Sequence, residues 1–256
     1  MGNVRPNLIG ALLICALVAC AQTPERRDVL LERAAYEEYR LLVEDIYLWE
    51  PCTRSEAEAF AAEAETDGLA AVRAASCYLL LVTEESDGAT RLADAKRGRR
   101  LAEVALKTYP QSGGVHYLAA YLTALEAQND RVRGLDLVPI IEREALAAAE
   151  LNPGVDHGGP DRMLGELYLR APGLPMSVGD SAKAVVHYRR ARDQDPNYPE
   201  NRLGLVEALM AEDELKAACD ELRELLTVMP PHVEAKKTWT RAIGLMKQLC
   251  EDLELE

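Results

Sequence analysis

The sequence predicts an all-α protein of helical hairpins stacked side by side and closed by a terminal helix. Three observations carry this. Ala184, Tyr188, Ala191 and Pro196 are echoed 34 residues later by Ala218, Leu222, Leu225 and Pro230, a period that fits one helix–turn–helix unit. Helix formers dominate: 48% of residues are hydrophobic, 5% aromatic and one is Phe, with alanine, leucine and glutamate the most used. No long alternation of Val, Ile, Thr or Tyr with polar residues runs through the chain, so a sheet is not expected.

The first element is not part of the fold. Leu8 to Val18 is an apolar run too short to cross a bilayer as a stable helix, behind a weakly positive start at Arg5. It ends in Leu17-Val18-Ala19-Cys20, which resembles the lipobox of bacterial lipoproteins. That resemblance implies cleavage before Cys20 and diacylation of its sulfur. Residues 1–19 are then a signal peptide, 20–24 a lipidated tether and 25–256 a single all-α domain. Several acyl chains suffice for a stable membrane anchor. No Asp follows Cys20 to argue for inner-membrane retention, so an outer-membrane location facing the periplasm is expected.

Helices follow in order. One is expected from about Glu25 to Trp49, ended by Pro51. Ser55 is read as the cap of a second, which ends before Thr66-Asp67-Gly68. A third carries Val72, Ala75, Tyr78, Leu79 and Val82 and closes at Ser86-Asp87-Gly88. The next spans Ala89 to Thr108, then Val115 to Glu126 and Val138 to Leu151. A glycine-rich stretch, Gly154 to Pro160, leads into a helix over 161–169, with Asp156 expected to cap it and Pro160 suited to its first turn. Helices over 181–194, 199–210, 214–228 and 232–249 complete the chain, the last with Trp239, Ala242, Ile243, Met246 and Leu249 on one face as a cap.

The repeat unit resembles the tetratricopeptide repeat. Small alanines let one helix approach its neighbour, a larger residue four later fills the groove, and proline stops the second helix. Leu164-Gly165 with Tyr168, and Leu205-Val206 with Leu209, occupy the first-helix positions. Looser echoes run through Gly98, Ala102, Ala105 and Pro110, through Ile141, Ala145, Ala148 and Pro153, and through Leu118-Ala119 with Leu122. Three to four degenerate repeats are expected over about residues 87–250. Seven extra residues enter between the two helices of one hairpin, in the Pro/Gly-rich stretch from Arg170 to Asp180. A lengthened loop in a regular array is where function collects.

Charge narrows the partners. Without residues 1–19 the chain holds 28 basic and 43 acidic residues, a net of −15. That balance disfavours nucleic acid and anionic membrane surfaces. Four cysteines remain beyond Cys20, namely Cys52, Cys77, Cys219 and Cys250. Export permits disulfides, and a Cys52–Cys77 bridge fits a helical hairpin. The unequal distances of Cys219 and Cys250 from Pro230-Pro231 weigh against their alignment. The sequence establishes neither bridge, and buried free thiols are the reading it favours.

The run from Asn152 to Asp180 resembles the T component associated with TRAP transporters, the TatT-like periplasmic lipoproteins. The residues that carry it are Asp156, Gly158, Gly159, Pro160, Arg162, Gly165, Tyr168, Pro172, Gly173, Pro175, Ser177, Gly179 and Asp180. The resemblance implies an accessory of a TRAP-type uptake system that binds the periplasmic solute-binding protein, a small apolar or carboxylate-bearing ligand, or both. It also implies association as a homotrimer around a channel, with the loops at Asp156–Pro160 and Ala171–Asp180 near that channel. Arg162, the one cation in the most specific block, is the candidate to meet a ligand carboxylate; the alternative is an ion pair with Asp161, Glu166 or Asp180. The glycines are otherwise read as turn residues with positive φ, and Tyr168 as repeat core.

An enzyme is not expected, and no cofactor is implied. His116, His157, His187 and His232 lie on separate elements, with no zinc spacing, nucleophile elbow or phosphate-binding loop. Asp156, His157 and Asp161 are a weak candidate for metal. The alternative function is a tetratricopeptide scaffold lipoprotein in outer-membrane or envelope assembly.

Overall fold

The computed structural model describes residues 51–130, 132–228 and 236–250. Cys20 and its lipobox, the helix expected over 25–49 and the Pro230-Pro231 turn lie outside them. Among the described residues there is no strand, and ten α-helices follow one another. They are α1 (Arg54–Glu63), α2 (Gly68–Glu84), α3 (Gly88–Thr108), α4 (Gly113–Asn129), α5 (Gly134–Leu151), α6 (Val155–Arg170), α7 (Ser181–Gln194), α8 (Pro199–Ala211), α9 (Leu215–Val228) and α10 (Lys236–Leu245).

Local chemistry explains where these helices begin. Thr53, not Ser55, caps α1: its side chain accepts from the Glu56 N–H while the Glu56 carboxylate takes the Thr53 N–H at 2.8 Å. Glu stands three residues after both Thr53 and Ser55, as Glu56 and Glu58, so the sequence offers two such boxes and the chain closes the first. Asp67, Asp87, Ser112 and Asp180 cap α2, α3, α4 and α7 through their side chains, each a contribution of about 1 kcal/mol. Pro199 opens α8, where its missing N–H has no helical partner to lose.

The helices pair as α2–α3, α4–α5, α6–α7 and α8–α9, and each first helix also packs on the first helix of the next hairpin, ending at α10. Consecutive second helices approach each other less closely, so the layer of first helices is the inner, concave one. All four echoes of the sequence lie on buried second-helix faces: Gly98, Ala102 and Ala105 in α3; Ile141, Ala145 and Ala148 in α5; Ala184, Tyr188 and Ala191 in α7; Ala218, Leu222 and Leu225 in α9. Tyr188 shows why small residues face it. A Cβ on Gly165 would sit 2.6 Å from its ring and one on Gly204 2.0 Å, so α6 and α8 clamp the ring only because both lack side chains there.

Both cysteine pairs are closed, which corrects the reading as buried free thiols. Cys52 and Cys77 have their Cα atoms 5.4 Å apart, Cys219 and Cys250 5.7 Å. The unequal distances of Cys219 and Cys250 from Pro230-Pro231 do not prevent the second bridge, because the chain continues past α10 in a π-helical turn, Met246–Cys250, that packs on α9. One bridge ties α2 to the segment before α1. The other ties α9 to the turn after α10. The stack is thus stapled near both ends of its described length.

Candidate functional site

The concave layer holds a groove of about 830 Å³. Its walls come from the exposed faces of α4, α6 and α8, with the start of α5 closing one side. Tyr117, Tyr121, Ala124 and Ala127 on α4 face Met163 and Leu167 on α6 and Leu203 and Gly204 on α8, while Leu135, Val138 and Ile141 complete the apolar lining. The charged groups in it are Asp130, Arg162, Glu166, Arg170, Glu200 and Glu207.

At one end of the groove the backbone turns the wrong way. Asp156, His157 and Gly158 take φ values of 50°, 58° and 82°, three consecutive left-handed residues at the start of α6. Each L-residue in that region carries about 1–2 kcal/mol of strain, so contacts must hold it. Arg162 supplies most of them. Its Nη2 donates to the Asp156 carboxylate at 2.6 Å, and its Nη1 donates to the Asp156 and His157 carbonyls at 3.0 and 3.3 Å and to Asn201 Oδ1 at 3.0 Å. Asn201 Nδ2 donates to the His157 carbonyl at 2.8 Å and to the Ala191 carbonyl at 2.9 Å. The Tyr117 hydroxyl donates to Asp156 at 2.6 Å. His157 stacks on Tyr198 with centroids 4.6 Å apart and pairs with Asp195 at 2.7 Å.

Electrostatics keep this cluster in one state. Burial pushes the Tyr117 phenol well above its usual range, so it stays a donor. Burial works against the charge of Arg162, but Tyr117 and Asp156 outweigh it and hold the guanidinium's pKa above its ordinary value. Arg162 therefore does meet a carboxylate, but one of its own chain. Its partner is Asp156 rather than Asp161, Glu166 or Asp180, because the left-handed turn folds Asp156 back over the next turn of α6. Asp156 is accordingly not the helix cap expected of it; α6 has no side-chain cap.

The other expected site residues separate into roles. Gly158 is the one glycine with positive φ among the described residues, and a Cβ there would also lie 2.9 Å from the Ala191 carbonyl oxygen. Gly159 lies against Tyr117, which a Cβ would meet at 2.6 Å. Pro160 falls in the first right-handed turn of α6, as expected. Gly179 is needed for space rather than φ: a Cβ would meet the Ala171 carbonyl oxygen at 2.0 Å. Gly173 pairs with Gly179 in a lone bridge, and the Gly179 N–H donates to the Pro172 carbonyl at 2.9 Å. The Ser177 N–H reaches the Gly173 carbonyl, and Asp180 caps α7 through the Lys183 N–H at 3.0 Å. Pro175 follows a cis peptide at the tip, between Leu174 and Met176, which are 86% and 74% exposed.

The two special loops are not neighbours. They lie at opposite ends of α6, Gly159 and Ala171 being about 18 Å apart along its axis at the helical rise. The groove runs between them, and of the expected residues Gly159, Arg162 and Pro172 line it. Tyr168 is core: it is 4% exposed, and its hydroxyl donates to Glu142 at 2.7 Å. The suggested metal ligands diverge, Asp161 pairing with His187 at 2.7 Å and His157 with Asp195. The sequence reading missed the α4 and α8 walls. The signal was present in α8, where Glu200, Leu203, Gly204 and Glu207 form a second stripe at helical spacing opposite the core residues Leu205 and Leu209.

Residues 176–238 match the tetratricopeptide repeat family, a stretch that covers α7 to α9 and reaches α10. Comparison with curated proteins finds no match. Together with the hairpin stack, the match shows an all-α helical solenoid of tetratricopeptide type, with the repeat itself matched over α7 to α9. Domains of this class generally serve as protein-interaction scaffolds, and catalysis is not their usual role.

Proposed function

We propose that this chain is a periplasm-facing lipoprotein that holds a partner protein in its concave groove, as an accessory of a TRAP-type solute uptake system. The observation that carries the binding role is the groove between α4, α6 and α8, whose apolar walls are interrupted by a few charged groups. Apolar concave surfaces with few convergent polar groups are the usual form of binding sites, and the inner face of a helical-repeat stack is its usual binding surface. Two closed disulfides support an exported, oxidising location. The partner assignment, the solute-binding protein of the transporter, rests on the resemblance of residues 152–180. The anchor rests on the Cys20 lipobox.

The test is co-purification from native membranes of the organism's own cells, with mass spectrometry of retained proteins. Recovery of a TRAP solute-binding protein and its membrane components supports this reading. Recovery of outer-membrane assembly factors instead transfers the protein to envelope assembly. Cys20→Ser is run beside it and is expected to move the protein from the membrane to the soluble fraction; unaltered fractionation refutes the anchor.

A further inference from the structure

The groove's charges fix the polarity of what it takes. Both of its cations are already engaged. Arg162 is committed to Asp156 and Asn201, and Arg170 lies between Glu166 and Glu207. Glu207 is also met by Arg241 at 3.2 Å. Glu200 is different. It accepts from the Thr238 hydroxyl at 2.9 Å and carries no ion pair among the described residues. It opens the α8 face whose next groove residue is Leu203. The whole chain carries a formal charge of −14, so the field around the groove attracts cations and repels anions.

We infer that the groove takes an extended segment of a partner protein, about five or six residues long, in which a basic side chain flanked by apolar ones places its cation at Glu200. This deepens the proposed function and rests on the groove being the binding surface. The length follows from the span: about 18 Å along α6 accommodates five to six residues at the ~3.3 Å rise of an extended chain. The flanking apolar side chains meet Val138, Leu167 and Leu203. A carboxylate-bearing occupant would need a cation that Asp156, Glu166 and Glu207 already hold. Charge complementarity of this kind sets specificity and on-rate more than raw affinity.

The experiment presents the full chain with two hexapeptide pools. One draws each position from leucine, alanine, tyrosine and lysine; the other replaces lysine by glutamate. Retained peptides are identified by mass spectrometry, and the best is measured by fluorescence anisotropy. Preferential retention of the lysine pool is expected. Its affinity is expected to fall about tenfold in Glu200→Gln, to be unchanged in Glu58→Gln on α1, and to weaken as salt rises from about 50 to about 500 mM. Ala124→Trp, which fills the groove from α4, is expected to abolish it, and circular dichroism checks that each variant folds. Retention of the glutamate pool, or equal retention of both with no effect of Glu200→Gln, overturns the inference while leaving the groove as a binding surface, provided Ala124→Trp blocks it. Retention of neither pool, or binding that ignores Ala124→Trp, defeats the inference and the groove reading together.

Discussion

Asp156 and Arg162, six residues apart on one helix, meet at 2.6 Å across a left-handed turn that neither could hold alone. Their side chains are 5% and 17% exposed, so the pair is shielded from screening. Removing one partner of such a pair strands the other and costs about 3–5 kcal/mol. Arg162→Met is therefore expected to lower stability by that amount in urea unfolding, and Asp156→Asn with Arg162→Met by less than the sum of the two single changes. Gly158→Ala tests the turn from the backbone side. Its φ of 82° and the Ala191 oxygen at 2.9 Å from a built Cβ predict a loss of about 1–3 kcal/mol. A loss within 0.5 kcal/mol for either single change contradicts the view that this turn is held by these contacts.

The disulfides predict where the stack opens. The Cys52–Cys77 and Cys219–Cys250 bridges span sequence separations of 25 and 31 residues, and closing loops of that length stabilises by about 3–4 kcal/mol. In a helical-repeat array each unit touches only its neighbours, so ends open first. Replacing both Cys219 and Cys250 by Ser is expected to remove hydrogen-exchange protection from α9 and α10 while α4 to α7 keep theirs. Uniform loss of protection along the chain would contradict this.

Much of the fold was legible because packing wrote it into the chain at fixed intervals. Ala102, Ala145, Ala184 and Ala218 are each fully buried, and no larger residue fits that close helix contact, so the spacing survives in the sequence. The left-handed turn left no such trace. Asp156 and His157 are ordinary residues in an acidic chain, and besides Arg162 what holds them comes from other helices and their ends: Tyr117 on α4, Asp195 after α7, and Tyr198 and Asn201 at the start of α8. A periodic pattern reports each helix's own neighbours. It does not report which carboxylate a guanidinium will find, and so it could not single out Asp156 for Arg162. The groove was half visible for a related reason: its α6 wall coincides with a distinctive motif, while its α8 wall is a second stripe on a helix already explained by its core face.

Stability should depend on pH through His116 and Glu144, whose side chains meet at 2.6 Å. The hydrogen bond to Glu144 raises the His116 pKa above its usual value near 6.5. Burial works against the Glu144 charge, but hydrogen bonds from His116 and Arg143 prevail and lower its pKa. The raised histidine contributes stability that is full below about pH 6.5 and lost as pH rises through the folded value. The lowered glutamate contributes stability that is present above about pH 4.5 and lost as pH falls through its folded value. The pair therefore stabilises most between those limits. Urea midpoints measured across pH are expected to peak near pH 5–6 and to lose the alkaline part of that slope in His116→Gln. An unchanged alkaline slope in the variant would assign it to other groups.

The loop between α6 and α7 carries the last prediction. Its tip turns Leu174 and Met176 outward, while Val178 packs back on the core cluster and the Gly173–Gly179 bridge closes its base. The base is therefore structural and the tip is not. Leu174→Ser with Met176→Ser removes apolar surface that packs on nothing in the fold, so thermal unfolding should move by no more than the ~0.5 kcal/mol typical of surface changes. Val178→Ser should instead destabilise by about 1–2 kcal/mol, because it takes apolar area from a packed contact. Excising Leu174–Val178 combines the two and is expected to keep the helical circular-dichroism signal while lowering the midpoint by about the Val178 amount. If the excision abolishes helicity, the loop is needed to form the α6–α7 hairpin. If partner recovery from membranes persists in the Leu174→Ser, Met176→Ser protein, the exposed tip is no part of the binding surface and recognition belongs to the groove alone.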